Sequence, residues 1–150
     1  MAAVTRMRRL RRGERGAELV ELAVVLPLLL ILIAGIVDFG FLLQSYEVVT
    51  NAAREGARIG VLPGYNTADI QGRVAAYVSA AGLAGTPTTT VSQVSITPGG
   101  GGAAFPAVRV SVAYTHQYLF IKPMVTLIGR VFPTSKSFTA TSVMRTEVVP

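Results

Sequence analysis

The sequence predicts an α+β protein in which a long N-terminal helix precedes a small head of one short helix and a few antiparallel strands. Three observations support this class: an early apolar run long enough for a membrane helix, a helical pattern of polar residues beyond it, and β-branched alternation in the second half of the chain. Hydrophobic residues make up 51% of the 150 residues and charged residues 15%, with a mean hydropathy of +0.51. This composition is too apolar for an ordinary soluble domain, so we expect a membrane segment.

The positive charge of the chain is concentrated at its N-terminus. The net charge of +6 divides into +5 for residues 1–16, −3 for residues 17–61 and +4 for residues 62–150. Because the rest of the chain is nearly neutral, the high isoelectric point is weak support for nucleic-acid binding, and we expect no nucleic-acid partner. The six arginines responsible are Arg6, Arg8, Arg9, Arg11, Arg12 and Arg15.

The apolar run from Leu22 to Val37 contains sixteen residues without a charge. As a helix it covers roughly 24 Å, and the apolar character continues after Asp38 to residue 43, which is enough to span a hydrocarbon core of ~30 Å. The arginines before the run place the N-terminus in the cytoplasm and the remainder outside it. A membrane helix with membrane lipid as its environment is therefore expected.

A cleaved secretory signal peptide is the alternative interpretation of the same run. Glu18 and Glu21 stand between the arginines and the apolar residues, where a signal peptide gains nothing from acids. No clear A-x-A site ends the run, and the helical pattern continues past it. These features favour a retained helix.

Beyond Asp38 the predicted helix becomes amphipathic. Polar residues recur at spacings of three and four, which places them on one helix face, while the opposite face is apolar or small. Pro63-Gly64 is a turn signal that ends the pattern, so the sequence predicts a helix over residues 17–61, between a basic leader at 1–16 and an extracytoplasmic head at 62–150. The polar residues are Gln44, Glu47, Asn51, Arg54, Glu55 and Arg58.

The head has a mixed pattern. Residues 67–82 predict a helix with Thr67 as N-cap and Gly82 as its C-terminal stop. Residues 88–97 and 137–149 predict strands from their β-branched content, and the alternation over 108–115 gives the clearest strand. Residues 118–132 fit either a short helix or a long loop. We expect two or three antiparallel strands packed on the small-residue face of the long helix.

No residues suggest catalysis or a cofactor. Cysteine is absent, which excludes disulfides, thiol catalysis and cysteine zinc sites, and His116 is the single histidine. Past residue 61 the acids are Asp69 and Glu147, too few for a metal site or an acid–base pair. The glycines at 99–102 lack the lysine of a phosphate loop. We expect a non-enzymatic protein without cofactor or metal, with His116 as a surface or packing residue.

The segment RRGERGAELVELAVVLP around Gly16 resembles the leader junction of type IV pilins. With GIVDFG at 35–40 and TNAAREGAR at 50–58, the chain resembles more closely the TadE-like family of pilin-like proteins from tight-adherence (Flp pilus) systems. The resemblance covers residues 16–58 and returns weakly in the final TATSVMRTEVV. It implies a subunit of a pilus or secretion apparatus whose partners are a prepilin-type peptidase, other pilin-like subunits and an inner-membrane assembly platform.

The resemblance also implies roles for individual residues. Cleavage after Gly16 would leave Ala17 as the new N-terminus, and glycine suits the cut because it has no Cβ to obstruct a peptidase cleft. Glu21 lies about one helical turn from Ala17 and would pair with the N-terminal amine of a neighbouring subunit, since an unpaired carboxylate is costly in lipid. A second register, with cleavage after Gly13, would make Glu18 the fifth residue but leave more charges at the start of the membrane helix.

Two residues within the apolar region have open interpretations. Pro27 removes one helical hydrogen bond, which membrane helices tolerate, and it could also serve packing. Asp38 is either a carboxylate paired within the membrane or a marker of the outer bilayer boundary.

Two other functions compete with a pilus subunit. The chain could be a permanently anchored extracytoplasmic interaction protein that keeps its N-terminus, or a secreted binding domain released by ordinary signal cleavage. The mass of the mature protein distinguishes the three.

Overall fold

A computed structural model describes residues 2–127, 129 and 133–146 of the chain. The architecture is α+β, as the sequence predicts: a long N-terminal helix, short helices and three antiparallel strands. In chain order the elements are α1 (Ala2–Gly60), α2 (Thr67–Ala80), β1 (Thr88–Ile96), β2 (Phe105–Gln117), α3 (Ile121–Leu127) and β3 (Ser135–Arg145).

The chain forms two compact units. The first contains residues up to 39 together with 119–132, and the second contains residues 40–118 together with those from 133 onward. The helix α1 contributes to both.

Helix α1 continues without interruption through Pro27 and ends one residue before the predicted position. It also begins earlier than residue 17, so part of the basic leader is helical. At its C-terminal end the amide of Leu62 donates to the carbonyl of Ile59, and Gly64 adopts a φ of 91° in the turn with Pro63. A proline followed by a left-handed glycine cannot continue the helix.

Helix α2 begins with a capping box, and its cap differs from the predicted one. Asn66, not Thr67, is the N-cap: its side chain accepts from the amides of Ala68 and Asp69, while the Asp69 carboxylate accepts from the amide of Asn66. Asparagine caps helices more strongly than threonine, and the aspartate three residues later completes the box. The predicted stop holds, because Gly82 takes a φ of 76° and its amide donates to Ser79.

The sheet has the order β1-β2-β3, with both pairs antiparallel. The central strand β2 places Val110 opposite Val91 on one side and Ser142 on the other. It is longer than the predicted 108–115 and begins beside Pro106, whose missing N–H is tolerated near a strand start. The predicted last strand starts two residues earlier than expected, and its final residues lie outside the described part of the chain.

The core of the second unit lies between α1, α2 and the sheet. The small-residue face of α1 forms one side of this core, as predicted. The alternating buried residues of β2 pack against that face. Gly56 and Gly60 allow a close approach: a Cβ at Gly56 would lie 2.8 Å from Val74 Cγ2, and one at Gly60 would lie 2.9 Å from Val108 Cγ1. The core includes Val49, Ala52, Ala53, Ala57, Ile70, Val74, Val78, Val108, Val110, Val112, Tyr114 and Ala140.

The ambiguous region 118–132 contains the short helix α3. The amide of Tyr118 donates to the carbonyl of Thr134 over 3.1 Å, which brings the two ends of the connection between β2 and β3 together. Pro123 stands in the first turn of α3, where its missing amide costs the helix no hydrogen bond.

Candidate functional site

The residues around the predicted cleavage point are exposed on α1. Nothing lies within 4 Å of the position a Cβ on Gly16 would occupy, and both Glu18 and Glu21 are exposed. Within the described residues the Glu21 side chain forms no hydrogen bond or ion pair.

The membrane-length part of α1 carries an exposed apolar surface. The stretch Gly16–Gly60 is long and apolar enough to cross a membrane, and most large apolar side chains between residues 19 and 37 are more than two-fifths exposed. A contiguous apolar surface of this length is typical of a helix that contacts lipid or other helices. The exposed residues are Leu19, Val20, Leu22, Val24, Val25, Leu26, Leu28, Leu29, Leu30, Leu32, Ile33, Ile36 and Val37.

Asp38 lies on the same helix and is only 2% exposed. Its carboxylate accepts four hydrogen bonds from three consecutive backbone amides. Oδ1 accepts from Leu119 at 3.1 Å and Phe120 at 3.2 Å, while Oδ2 accepts from Phe120 at 3.0 Å and Ile121 at 2.7 Å. We call these three residues the anchored loop. Among the described residues, the groups that pair with Asp38 are thus backbone amides and not a cationic side chain.

The position of the anchored loop explains this arrangement. The loop leads directly into α3, and the first amides of a helix have no partner within it. A carboxylate satisfies them and is favoured by the positive end of the helix dipole. Contact between α1 and α3 is close, because Ile121 Cδ1 lies 3.9 Å from where a Cβ on Gly35 would be.

The structure does not bring Glu21 and Asp38 together. They are seventeen residues apart on one helix, or roughly 26 Å along its axis at ~1.5 Å per residue. The predicted site residues therefore form two separate sites: Gly16, Ala17 and Glu21 near the basic segment, and Asp38 with the anchored loop.

A buried polar pair in the second unit was missed by sequence reasoning. Ser45 Oγ donates to the carbonyl of Phe41 at 2.8 Å and lies 3.0 Å from Nδ1 of His116. Since the serine has one proton and gives it to Phe41, it accepts from Nδ1–H of the imidazole. His116 is 6% exposed, and its Nε2 has no hydrogen-bond partner among the described residues. The histidine is a packing residue, one of the two alternatives that the sequence left open.

An ion-pair cluster links α2 to α1 in the second unit. Glu55 accepts two hydrogen bonds from Arg58, at 2.8 and 2.9 Å, and its Oε1 lies 3.1 Å from Arg73 on α2. The hydrogen bonds from Arg58, reinforced by those from Arg73, lower the pKa of the Glu55 carboxyl to about 2 against the opposing effect of its partial burial. The cluster is structural, and its spacing across two helices was not visible in the sequence.

The described residues offer no clustered chemistry. In that part of the chain no three His, Cys, Asp or Glu side chains lie close enough to hold a metal ion. Asp38 and Ser45 are occupied by structural hydrogen bonds, and His116 is bonded through Nδ1 to Ser45.

Comparison with known proteins finds a similarity in the N-terminal half of the chain. A family model described as TadE-like protein matches residues 16–58, which include the exposed apolar surface, Asp38 and the small-residue face of α1. No curated protein and no solved structure matches the chain. The helix α2 and all three strands lie outside the family match. The match agrees in position with the resemblance seen in the sequence: residues 16–58 of this chain are similar to the TadE-like family.

Proposed function

We propose that this chain is a pilin-like (pseudopilin) subunit that assembles into a tight-adherence pilus or secretion apparatus and has no enzymatic activity. The observation that carries the proposal is the coincidence of the family match with the exposed apolar surface of α1. Such a surface needs lipid before assembly and other helices after it. One helix can serve both states without refolding.

The proposed organisation follows the charge pattern. Residues 1–16 are a cytoplasmic basic leader, residues 17–61 are the membrane helix and its amphipathic continuation, and residues 62–150 are an extracytoplasmic head. The arginines of the leader set this orientation under the positive-inside rule. The localisation is therefore the cell membrane, with a single pass, and the cell surface after assembly.

Maturation is proposed to occur by a prepilin-type peptidase that cuts after Gly16. The exposure of this glycine and the empty space around it are consistent with access by a protease. The cut removes the six arginines and creates an amino group at Ala17, one turn before Glu21. In a bundle of such helices the amine of one subunit and the Glu21 carboxylate of the next neutralise each other.

The partners follow from this cycle. They are the peptidase, other pilin-like subunits and an inner-membrane assembly platform, with lipid around the helix before assembly. The described residues of α1 leave Glu21 and the apolar surface without an intramolecular partner, which suits an intermolecular role.

The mass of the mature protein tests this function against its two alternatives. We expect protein purified from membranes that contain the cognate peptidase to begin at Ala17. Gly16→Val should leave the full precursor, because a branched side chain crowds the cleavage cleft. Gly13→Val is the matched control, and it should still be cut after Gly16.

Each other result favours a different function. An intact residue 1 in the presence of the peptidase would support the permanently anchored interaction protein. A mature protein that begins beyond the apolar run, recovered in the medium, would support the secreted binding domain. Loss of processing in Gly13→Val but not in Gly16→Val would move the cut to the second register.

A further inference from the structure

Two large apolar side chains of the anchored loop are exposed. Leu119 is 63% exposed and Phe120 is 46% exposed, although the backbone amides of both are held by the buried carboxylate of Asp38. The backbone of this loop is therefore held in place, while its two apolar side chains remain substantially exposed. Exposed apolar groups held beside the apolar surface of a membrane-length helix are typical of a membrane or protein contact.

The attachment point defines the height of the loop along α1. Asp38 directly follows the uncharged run from Leu22 to Val37, which is roughly 24 Å long as a helix. Since a hydrocarbon core is ~30 Å thick, a residue at the end of that run lies near the outer boundary of the core. The hydrogen bonds place the backbone of residues 119–121 at that same height.

We propose that Leu119 and Phe120 insert into the outer interface of the lipid bilayer, as a second membrane contact held at fixed depth by Asp38. This inference rests on the proposed function, because it needs α1 to span the membrane. It assigns a lipid-binding role to the connection between β2 and β3, which lies outside the family match.

Three properties favour lipid as the partner of this loop. The neighbouring apolar residues of α1, Ile36 at 64% and Phe39 at 58% exposure, extend the same kind of surface that the membrane helix presents. The amides of the loop are satisfied by Asp38, which a non-helical backbone requires where water is scarce. Leucine and phenylalanine side chains partition into the apolar edge of the interface, and the exposed Lys122 that follows can reach lipid phosphates.

Single tryptophans test the proposal cleanly because the chain has none of its own. The full chain carrying Phe120→Trp is reconstituted at a low protein-to-lipid ratio into phosphatidylcholine vesicles whose acyl chains carry bromine either near the headgroup or near the methyl end. Leu29→Trp reports on the middle of the membrane helix. Tyr65→Trp, at an exposed position between α1 and α2, reports on the aqueous side.

We expect the Phe120→Trp fluorescence to be quenched most by the bromines near the headgroup and to lie at shorter wavelength than that of Tyr65→Trp. Leu29→Trp should be quenched most by the deep bromines, and Tyr65→Trp by aqueous iodide alone. Quenching of Phe120→Trp by iodide but by neither brominated lipid would overturn the inference while leaving the membrane helix intact. Shielding of Phe120→Trp from both quenchers would also overturn it, in favour of a protein surface as the cover.

The same experiment separates this inference from the proposed function. If Leu29→Trp is not quenched by brominated lipid, α1 does not enter the bilayer. The membrane function then fails, and the lipid contact of the anchored loop fails with it.

Discussion

Gly56 is a residue of α1 at which the second unit packs with no room for a side chain. It faces Val74 of α2 and Val110 of β2, and a Cβ there would lie 2.8 Å and 3.2 Å from their methyl groups. Both valines are fully buried and β-branched, so neither can easily change its χ1 rotamer to make room for a methyl group. The absence of a side chain at Gly56 lets α1, α2 and the sheet approach closely at this point.

We expect Gly56→Ala to destabilise the fold. Overpacking of a tight core costs about 1–3 kcal/mol, and the better helix propensity of alanine returns up to about 1 kcal/mol. The net loss should appear as a lower denaturant midpoint of the full chain in detergent, followed by near-ultraviolet circular dichroism. Gly72→Ala in α2 is the matched control: nothing lies within 4 Å of its Cβ position, so the midpoint should rise. A rise in both variants would contradict the packing described.

The Glu55 cluster predicts a pH dependence of stability. Because the folded-state pKa of Glu55 is lowered from 4.5 to about 2, its contribution is fully present above the unfolded value and is lost as the pH falls from about 4.5 towards 2. Glu55→Gln should lower the denaturant midpoint at pH 7 and flatten its fall across that pH interval. The effect should be modest, since the side chains of Arg58 and Arg73 are 59% and 55% exposed.

Glu47→Gln is the comparison for this effect. Glu47 lies on the same helix, is exposed and forms no salt bridge within the described residues. Its variant should keep the wild-type pH profile. Equal flattening in both variants would show that the pH response reflects net charge and not the cluster.

At the scale of elements, α3 depends on a residue of α1. Asp38→Ala removes the acceptor of the amides of residues 119–121. We expect these three amides to exchange with solvent deuterium much faster, because no other acceptor for them lies in the described structure. Amides in the middle of β2 should keep their protection. Unchanged exchange at the anchored loop would mean that α3 is held by other contacts.

The elements whose side chains repeat regularly were predictable from the sequence. The alternation of Val108, Val110 and Val112 predicted the strand β2. The spacing of polar residues by three and four predicted that α1 continues beyond Asp38. The small face of α1 likewise predicted where the sheet packs. Each of these signals is local, because the period of the side chains matches the period of the backbone.

The remaining features depend on contacts that a local pattern does not contain. Residues 118–132 are apolar throughout and so fit no single period, which left α3 undecided. Asp38 pairs with amides 81 to 83 residues further along the chain, and any residue type can supply an amide. The sequence pattern predicted Thr67 as the N-cap of α2, whereas the cap is Asn66. The aspartate at position 69 was a usable signal for a capping box that begins at Asn66.

At the scale of the whole molecule, α1 belongs to both compact units and carries the entire family match. Its residues up to 39 present apolar surface and the proposed cleavage region, and its residues from 40 onward form one layer of a packed core. The segment that matches the TadE-like family thus combines an exposed apolar surface with a face that is buried in a core. Assembly with other subunits is the proposed use of the first.

The most direct test of assembly is co-purification of Glu21→Leu with other pilin-like subunits, measured after mild solubilisation. We expect the variant to insert and to be cut after Gly16 but to be lost from the complex. Removing one member of a buried ion pair costs about 3–5 kcal/mol, a loss of association on the order of a hundredfold or more. Glu18→Leu, which makes the same change three residues earlier, should co-purify normally. Normal co-purification of a correctly processed Glu21→Leu would contradict the proposed pairing.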